Sequence, residues 1–163
     1  MTSQLEKKLK SFSSQNIIDA MSFLGWDQTM IHGPRPLFKG KKIFGEAVTL
    51  RFVHFRKDLL QDLPKKDESA EYKAFELCGP GKVLVASSIG PWESIGGDIK
   101  FLRLFQKKAA GIVTDGSVRD SKALEKYNFP VFAHSFTSKQ GPGIMLPISV
   151  NDNINCGGIL VRP

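Results

Sequence analysis

Residues 79–133 read GPGKVLVASSIGPWESIGGDIKFLRLFQKKAAGIVTDGSVRDSKALEKYNFPVFA. Gly79-Pro80-Gly81 closes whatever precedes it, and Lys82-Val83-Leu84-Val85-Ala86 follows at once as an apolar strand. Gly96-Gly97-Asp98 opens a helix with Ile99, Leu102 and Phe105 recurring at helical spacing. Residues 110–114 then read as strand, 121–127 as a short helix and 130–133 as another strand. A β-α-β-α-β alternation calls for a parallel sheet with right-handed crossovers, so the chain is expected to be α/β with a central, partly parallel sheet.

Upstream, Ile17, Ile18, Met21 and Leu24 recur at helical spacing, which predicts a helix over 3–24, with a break near Ser13 and Ser14 and a stop at Gly25. After the Gly33-Pro34-Arg35-Pro36 turn, Val48, Leu50 and Phe52 alternate with Thr49, Arg51 and Val53, so 44–55 reads as a half-buried strand. A polar stretch around Pro64 gives way to a helix over 67–78. Downstream, the Gly/Pro loop 140–143 precedes two short apolar runs, 144–150 and 158–161, that read as strands. No internal repeat or heptad run occurs, and 163 residues suit one core, so a single domain over 1–163 is expected.

Composition narrows the class. With 41% hydrophobic and 24% charged residues the chain is ordinary for a globular protein and is neither collagenous nor disordered. The charge balance, 23 − 16 = +7, admits anionic ligands without choosing among them. Its lysines fall in scattered groups (7, 8, 10; 39, 41, 42; 65, 66; 107, 108) rather than in a basic stripe interleaved with aromatics, so a nucleic-acid partner is not expected. Cys78 and Cys156 stand apart with no Cys-x-x-Cys pair, which argues against a disulfide framework or zinc site and for a reducing cytoplasm. No apolar run is long enough to span a bilayer, and the N-terminus lacks a stretch of signal length, so no membrane partner is expected.

In a parallel sheet, ligands gather outside the carboxyl ends of the strands. Two loops there are chemically loaded. One ends in Gly96-Gly97-Asp98 at a helix start, where free N–H groups and the helix dipole favour an anion such as a carboxylate. The other, Asp115-Gly116-Ser117-Val118-Arg119-Asp120, sets a bidentate cation beside a hard oxygen ligand. Breaking a C–C bond next to a 2-oxo acid demands enolate stabilisation. Asp120 could hold Mg²⁺ or Mn²⁺, Arg119 could fork onto the enolate oxygen or carboxylate, and Asp98 could orient water that moves protons. Each also has a plain structural role: Asp98 as a helix N-cap, Asp115-Gly116 as a turn, Arg119 with Asp120 as a surface pair. Spacing alone does not choose.

The Asp-x20-Arg-Asp set within GGD and GIVTDGSVRD, followed by Phe129-Pro130-Val131-Phe132-Ala133, resembles the RraA-like family, which contains the regulator of ribonuclease activity A and the 4-hydroxy-4-methyl-2-oxoglutarate/4-carboxy-4-hydroxy-2-oxoadipate aldolases. Weaker matches run from Ser14-to-Ala20 through Gly45-to-Thr49 and Gly79-to-Val85 to Cys156-to-Val161, so the resemblance covers about 5–163. It implies a compact layered sandwich of the swivelling β/β/α type, assembly as trimers or pairs of trimers, and sites between subunits. It further implies Asp120 as metal ligand, Arg119 as substrate and enolate binder, Asp98 as partner of water on that metal, and Gly96, Gly97, Asp98 and Ile99 as the pyruvyl-binding loop. The reactions implied are retro-aldol release of pyruvate and decarboxylation of oxaloacetate.

Two departures bear on the aldol reaction. Family aldolases commonly carry an acid three positions after the last motif Asp, where this chain has Ala123. Relatives also continue into a further strand beyond Val161-Arg162-Pro163. No Gly-x-Gly cofactor loop supports a methyltransferase, His32, His54 and His134 are unclustered, and Trp92 suits a packed loop aromatic as well as a pocket wall. The reading is therefore a divalent-metal-dependent lyase of small 2-oxo acids. The alternative is a non-catalytic protein that restrains another macromolecule, as the family's ribonuclease regulators do.

Overall fold

The computed structural model describes residues 3–27 and 29–163. Met1, Thr2 and Gln28, which the single-domain reading includes, lie outside the described residues. Two compact units result, residues 1–30 and 31–163.

In the first unit the helix expected over 3–24 is two helices, α1 (Ser3–Ser11) and α2 (Ser14–Phe23). The break has a local cause. Ser13 is extended and caps α2: its Oγ accepts from the Asn16 N–H at 3.1 Å, while Asn16 Oδ1 accepts from the Ser13 N–H at 3.3 Å. The left-handed Gly25 lies just past the end of α2.

The second unit is built on one six-stranded sheet. Its strands are β1 (Arg35–Pro36), β2 (Glu46–His54), β3 (Lys82–Ser87), β4 (Gly111–Thr114), β5 (Val131–Ala133) and β6 (Met145–Val150). Their spatial order is β1-β5-β4-β3-β2-β6. The inner pairs β2·β3, β3·β4 and β4·β5 are parallel, and β1 and β6 close the edges antiparallel. The helices are α3 (Lys57–Asp62), α4 (Ala70–Leu77), entered through a 3-10 turn over Lys66–Glu68, α5 (Asp98–Gln106) and α6 (Ser121–Tyr127). A separate hairpin pairs β7 (Ile154–Cys156) with β8 (Ile159–Val161).

Strand β3 explains the layering. Leu84 and Ala86 join a core with Phe75, Phe101, Leu104 and Leu124 from α4, α5 and α6, whereas Val83 and Val85 join Ile154 and Cys156 of the hairpin. Both faces of the strand are covered, as its uninterrupted apolar run requires. Hairpin, sheet and helices form three layers, the expected β/β/α sandwich. In β2, Thr49 is fully buried among apolar neighbours because its Oγ1 donates to the Asp152 carbonyl at 2.6 Å. Both cysteines are free and buried, and burial pushes each thiol up to about 12. No described helix is long and apolar enough to cross a membrane.

Phe101, fully buried on α5, packs under Gly96, where a Cβ would stand 2.9 Å from its ring. Truncation would leave a cavity below the loop that opens α5. Phe101→Ala is expected to lower unfolding free energy by about 3–5 kcal/mol in denaturant titrations, against well under 1 kcal/mol for a substitution at the exposed Lys122.

Candidate functional site

Beyond the carboxyl ends of β3, β4 and β5 the loops are stitched together by their backbones. Ser117 donates to the Glu93 carbonyl (2.9 Å), Ile95 to Ser117 (3.1 Å) and Arg119 to Gly96 (2.9 Å). On the far side Val118 donates to Ser135 (3.0 Å) and Thr137 to Val118 (2.9 Å). The Asp115 carboxylate adds a brace, accepting from the N–H groups of Ser88 (2.7 Å) and Gly157 (2.9 Å). Two loops distant in sequence thus become neighbouring strands of a short irregular ladder. The GGD and RD segments meet as a result.

At that meeting Gly97 is the N-cap of α5 and offers no side chain to the helix's free N–H groups. The cap comes from elsewhere. Asp120 Oδ2 accepts from the Asp98 N–H at 2.9 Å. Asp120 sits at the start of α6 with a left-handed backbone (φ 60°, ψ 46°), and its carboxylate makes no cap bond to its own helix. A non-glycine residue in this conformation is held by its surroundings, a pattern common at functional sites. The approach is close: a Cβ on Gly97 would fall 2.1 Å from Asp120 Oδ2 and 3.1 Å from the Arg119 Cβ. A side chain at position 97 would push the Asp120 carboxylate off the Asp98 N–H, so this bond between the loops calls for glycine there, while its own φ of −152° suits any residue.

Asp98 is the first residue of α5 rather than its N-cap, a correction to one structural role considered for it. Its Oδ1 accepts a hydrogen bond from the Tyr127 hydroxyl at the end of α6. That bond holds the phenol pKa above its ordinary value. Tyr127 carries no sequence signal, because it lies 29 residues away and arrives only through α5·α6 packing. The surface pair considered for Arg119 and Asp120 does not form; among the described residues no acidic side chain pairs with the Arg119 guanidinium.

Asp98, Arg119 and Asp120 line two adjoining hollows. The larger, about 690 Å³, is also lined by Ala123 and Phe136. The smaller, about 290 Å³, is bounded by Gly96, Gly97, Ile99 and Lys100. All six residues singled out in the sequence are together here: Gly96 is buried, Gly97, Asp98 and Arg119 are half-buried, and Asp120 and Ile99 are exposed, Ile99 to 86%. His134 lies apart from this set, its ring edge-on to Trp92 with centroids 4.7 Å apart. Among the described residues no group of three or more His, Cys, Asp or Glu side chains gathers.

Fold and site together define a class. The model of the RraA-like family (Aldolase/RraA) matches residues 14–163, and the chain belongs to that family. A protein of Halalkalibacterium halodurans named "Putative 4-hydroxy-4-methyl-2-oxoglutarate aldolase" is 30% identical over 134 residues, 79% of this chain. This chain spans 56% of that relative's length. An uncharacterized protein of Methanocaldococcus jannaschii is 28% identical over 95% of this chain and 67% of its own. Among solved structures, Streptomyces coelicolor RraAS2, described as an unusual member of the RNase ES inhibitor RraA protein family, superposes with a TM-score of 0.88 at 27% identity, covering 100% of this chain and 78% of its own.

Because the Asp98 bond favours the protonated phenol, Tyr127 contributes its stabilisation fully below the unfolded tyrosine pKa of about 10 and loses it as pH rises through the higher folded value. The tyrosinate absorbance of the wild type minus that of Tyr127→Phe is expected to titrate with a midpoint above 10. A midpoint at or below 10 would mean that the Tyr127–Asp98 bond is not formed in solution.

Proposed function

We propose that the chain is a lyase acting on small 2-oxo acids, releasing pyruvate through an enolate by decarboxylation of oxaloacetate-type substrates, by retro-aldol cleavage of 4-hydroxy-2-oxo acids, or both. The observation that carries this reading is the convergence of Asp98, Arg119 and Asp120 on one cleft, around a glycine position with no room for a side chain.

A divalent cation fits the donors present. They are two carboxylates and no clustered His or Cys among the described residues, a hard-oxygen set suited to Mg²⁺ or Mn²⁺ and unlike a closed zinc site. Asp120 would hold the ion and Asp98 would act on its water shell. When bound, such an ion polarises the 2-oxo group as a Lewis acid.

The chain's own residues do the rest. Arg119 forks its guanidinium onto the substrate carboxylate and the oxygen that becomes negative as the enolate forms. The backbone of Gly96 and Gly97 lets the pyruvyl head approach the start of α5, where the helix dipole favours its negative charge. In decarboxylation the C3–C4 bond breaks, CO₂ leaves and the electron pair stays as enolate. In retro-aldol cleavage the C4 hydroxyl gives up its proton and C4 leaves as a carbonyl. Either way Asp98, braced by Tyr127, relays a proton through water to C3 and completes pyruvate. Ala123 in the cleft offers no carboxylate for the C4 hydroxyl, which favours decarboxylation over aldol cleavage.

The second reading, a non-catalytic regulator of a macromolecule acting through an oligomer surface, is favoured by the likeness to the S. coelicolor protein, which covers all of this chain and 78% of that one. Pyruvate release from oxaloacetate separates the two, measured with Mg²⁺ or Mn²⁺ and corrected for the metal-only rate. The lyase reading expects protein-dependent, EDTA-sensitive turnover that falls at least about 100-fold in Arg119→Ala. No turnover above the metal blank by folded protein would favour the regulator, and full turnover in Arg119→Ala would remove the site assignment.

A further inference from the structure

We infer that the apolar hollow beside the cleft receives the C4 substituent of a 4-hydroxy-2-oxo acid and selects an alkyl or aryl group over a carboxylate, an inference that rests on the lyase reading above. The hollow, about 270 Å³, is walled by Phe52, Ile95, Met145 and Leu146, with the half-exposed Phe55 and Leu60 at its rim. It shares Ser94, Lys100, Gly141 and Pro142 with the smaller of the two hollows at Asp98, Arg119 and Asp120.

The two hollows adjoin along these four residues. A Cβ on Gly141 would lie 2.6 Å from the Ser94 carbonyl oxygen and 3.0 Å from the Met145 methyl, so the loop lies directly on the cleft floor. The Gly141 carbonyl accepts from the N–H groups of both Ile144 and Met145 at 3.0 Å. With the 2-oxo acid head at Arg119 and Asp120, the far end of the substrate is directed to the boundary where the two hollows adjoin.

Charge at the boundary decides what can enter. Lys100 is the cation common to both hollows, and its Nζ is held by Glu71 Oε1 at 2.6 Å, with side-chain exposures of 35% and 20%. Its charge is already answered. A carboxylate on C4 would lose water and meet a neutral pair plus apolar walls, whereas a hydrocarbon group would gain from burial. Cleavage of such a substrate balances without a redox partner. The C4 hydroxyl proton passes to water in the cleft, the C3–C4 bond breaks with its electron pair kept as the enolate, C4 departs as an aldehyde carrying the apolar group, and the enolate takes a proton at C3 from water through Asp98.

Calorimetric titration of the full chain in Mg²⁺ with three uncleavable 2-oxo acids tests this directly. 2-Oxo-4-phenylbutanoate is expected to bind at least about tenfold tighter than 2-oxobutanoate, and 2-oxoglutarate no tighter than 2-oxobutanoate, from burial of several ring carbons. Leu60→Asp, at the exposed rim, should cut the phenyl preference to below about threefold. Equal affinity for all three, tighter 2-oxoglutarate, no binding of any, or an unchanged preference in Leu60→Asp would overturn the inference. Pyruvate release from 4-hydroxy-2-oxo-4-phenylbutanoate keeps the two readings apart. A phenyl preference without pyruvate release would leave the hollow and remove the lyase, and turnover of oxaloacetate without a phenyl preference would do the reverse.

Discussion

One hydrogen bond organises the loops beyond the carboxyl ends of β3 and β4: the Asp120 carboxylate accepting the Asp98 N–H across two loops. Helix α5 begins at a glycine and has no side-chain cap of its own, so its first N–H depends on a charge brought from the loop after β4. That dependence ties three features together. The loops must run side by side, as their backbone ladder ensures; position 97 must lack a Cβ; and Asp120 must adopt a left-handed backbone to turn its carboxylate away from its own helix. A carboxylate at a helix start beside an arginine is a structural device that is already close to a binding site. The chemistry proposed for it uses the same oxygens.

The parallel core was legible because each strand is a short apolar run bounded by glycine or proline and each crossover helix shows its period. β3 to β5 with α5 and α6 stand where the alternation put them. What escaped was short or carried its meaning elsewhere. Arg35 and Pro36 form an edge strand against β5, a place where proline is tolerated, but two residues show no alternation. Helix α3 offers only Leu59 and Leu60 as an apolar face within a charged stretch. In β7, Ile154 and Cys156 are buried around an exposed Asn155, a run of three residues too short to mark a strand.

At the site, Asp98, Arg119 and Asp120 were legible as a pattern, while their surroundings were not. Tyr127 and the Glu71–Lys100 pair are tertiary contacts between elements that sequence spacing does not bring together. Lys100 carries no signal of its own in the sequence; in the fold, its pairing with Glu71 balances the charge at the boundary between the polar cleft and the apolar hollow. Specificity, on this account, comes from a neighbouring cavity and a cancelled charge, and the reaction from the loop ladder.

The central claim is that Asp120 serves as both inter-loop cap and cation ligand. Asn at 120 keeps an oxygen for the Asp98 N–H and removes the charge, so the fold should survive while a hard cation loses its anchor. The direct measurement is Mn²⁺ binding followed by electron paramagnetic resonance in the wild type and in Asp120→Asn, with matching circular dichroism. The account expects saturable binding by the wild type that weakens at least about tenfold in the folded variant. Equal binding by the two proteins would contradict it.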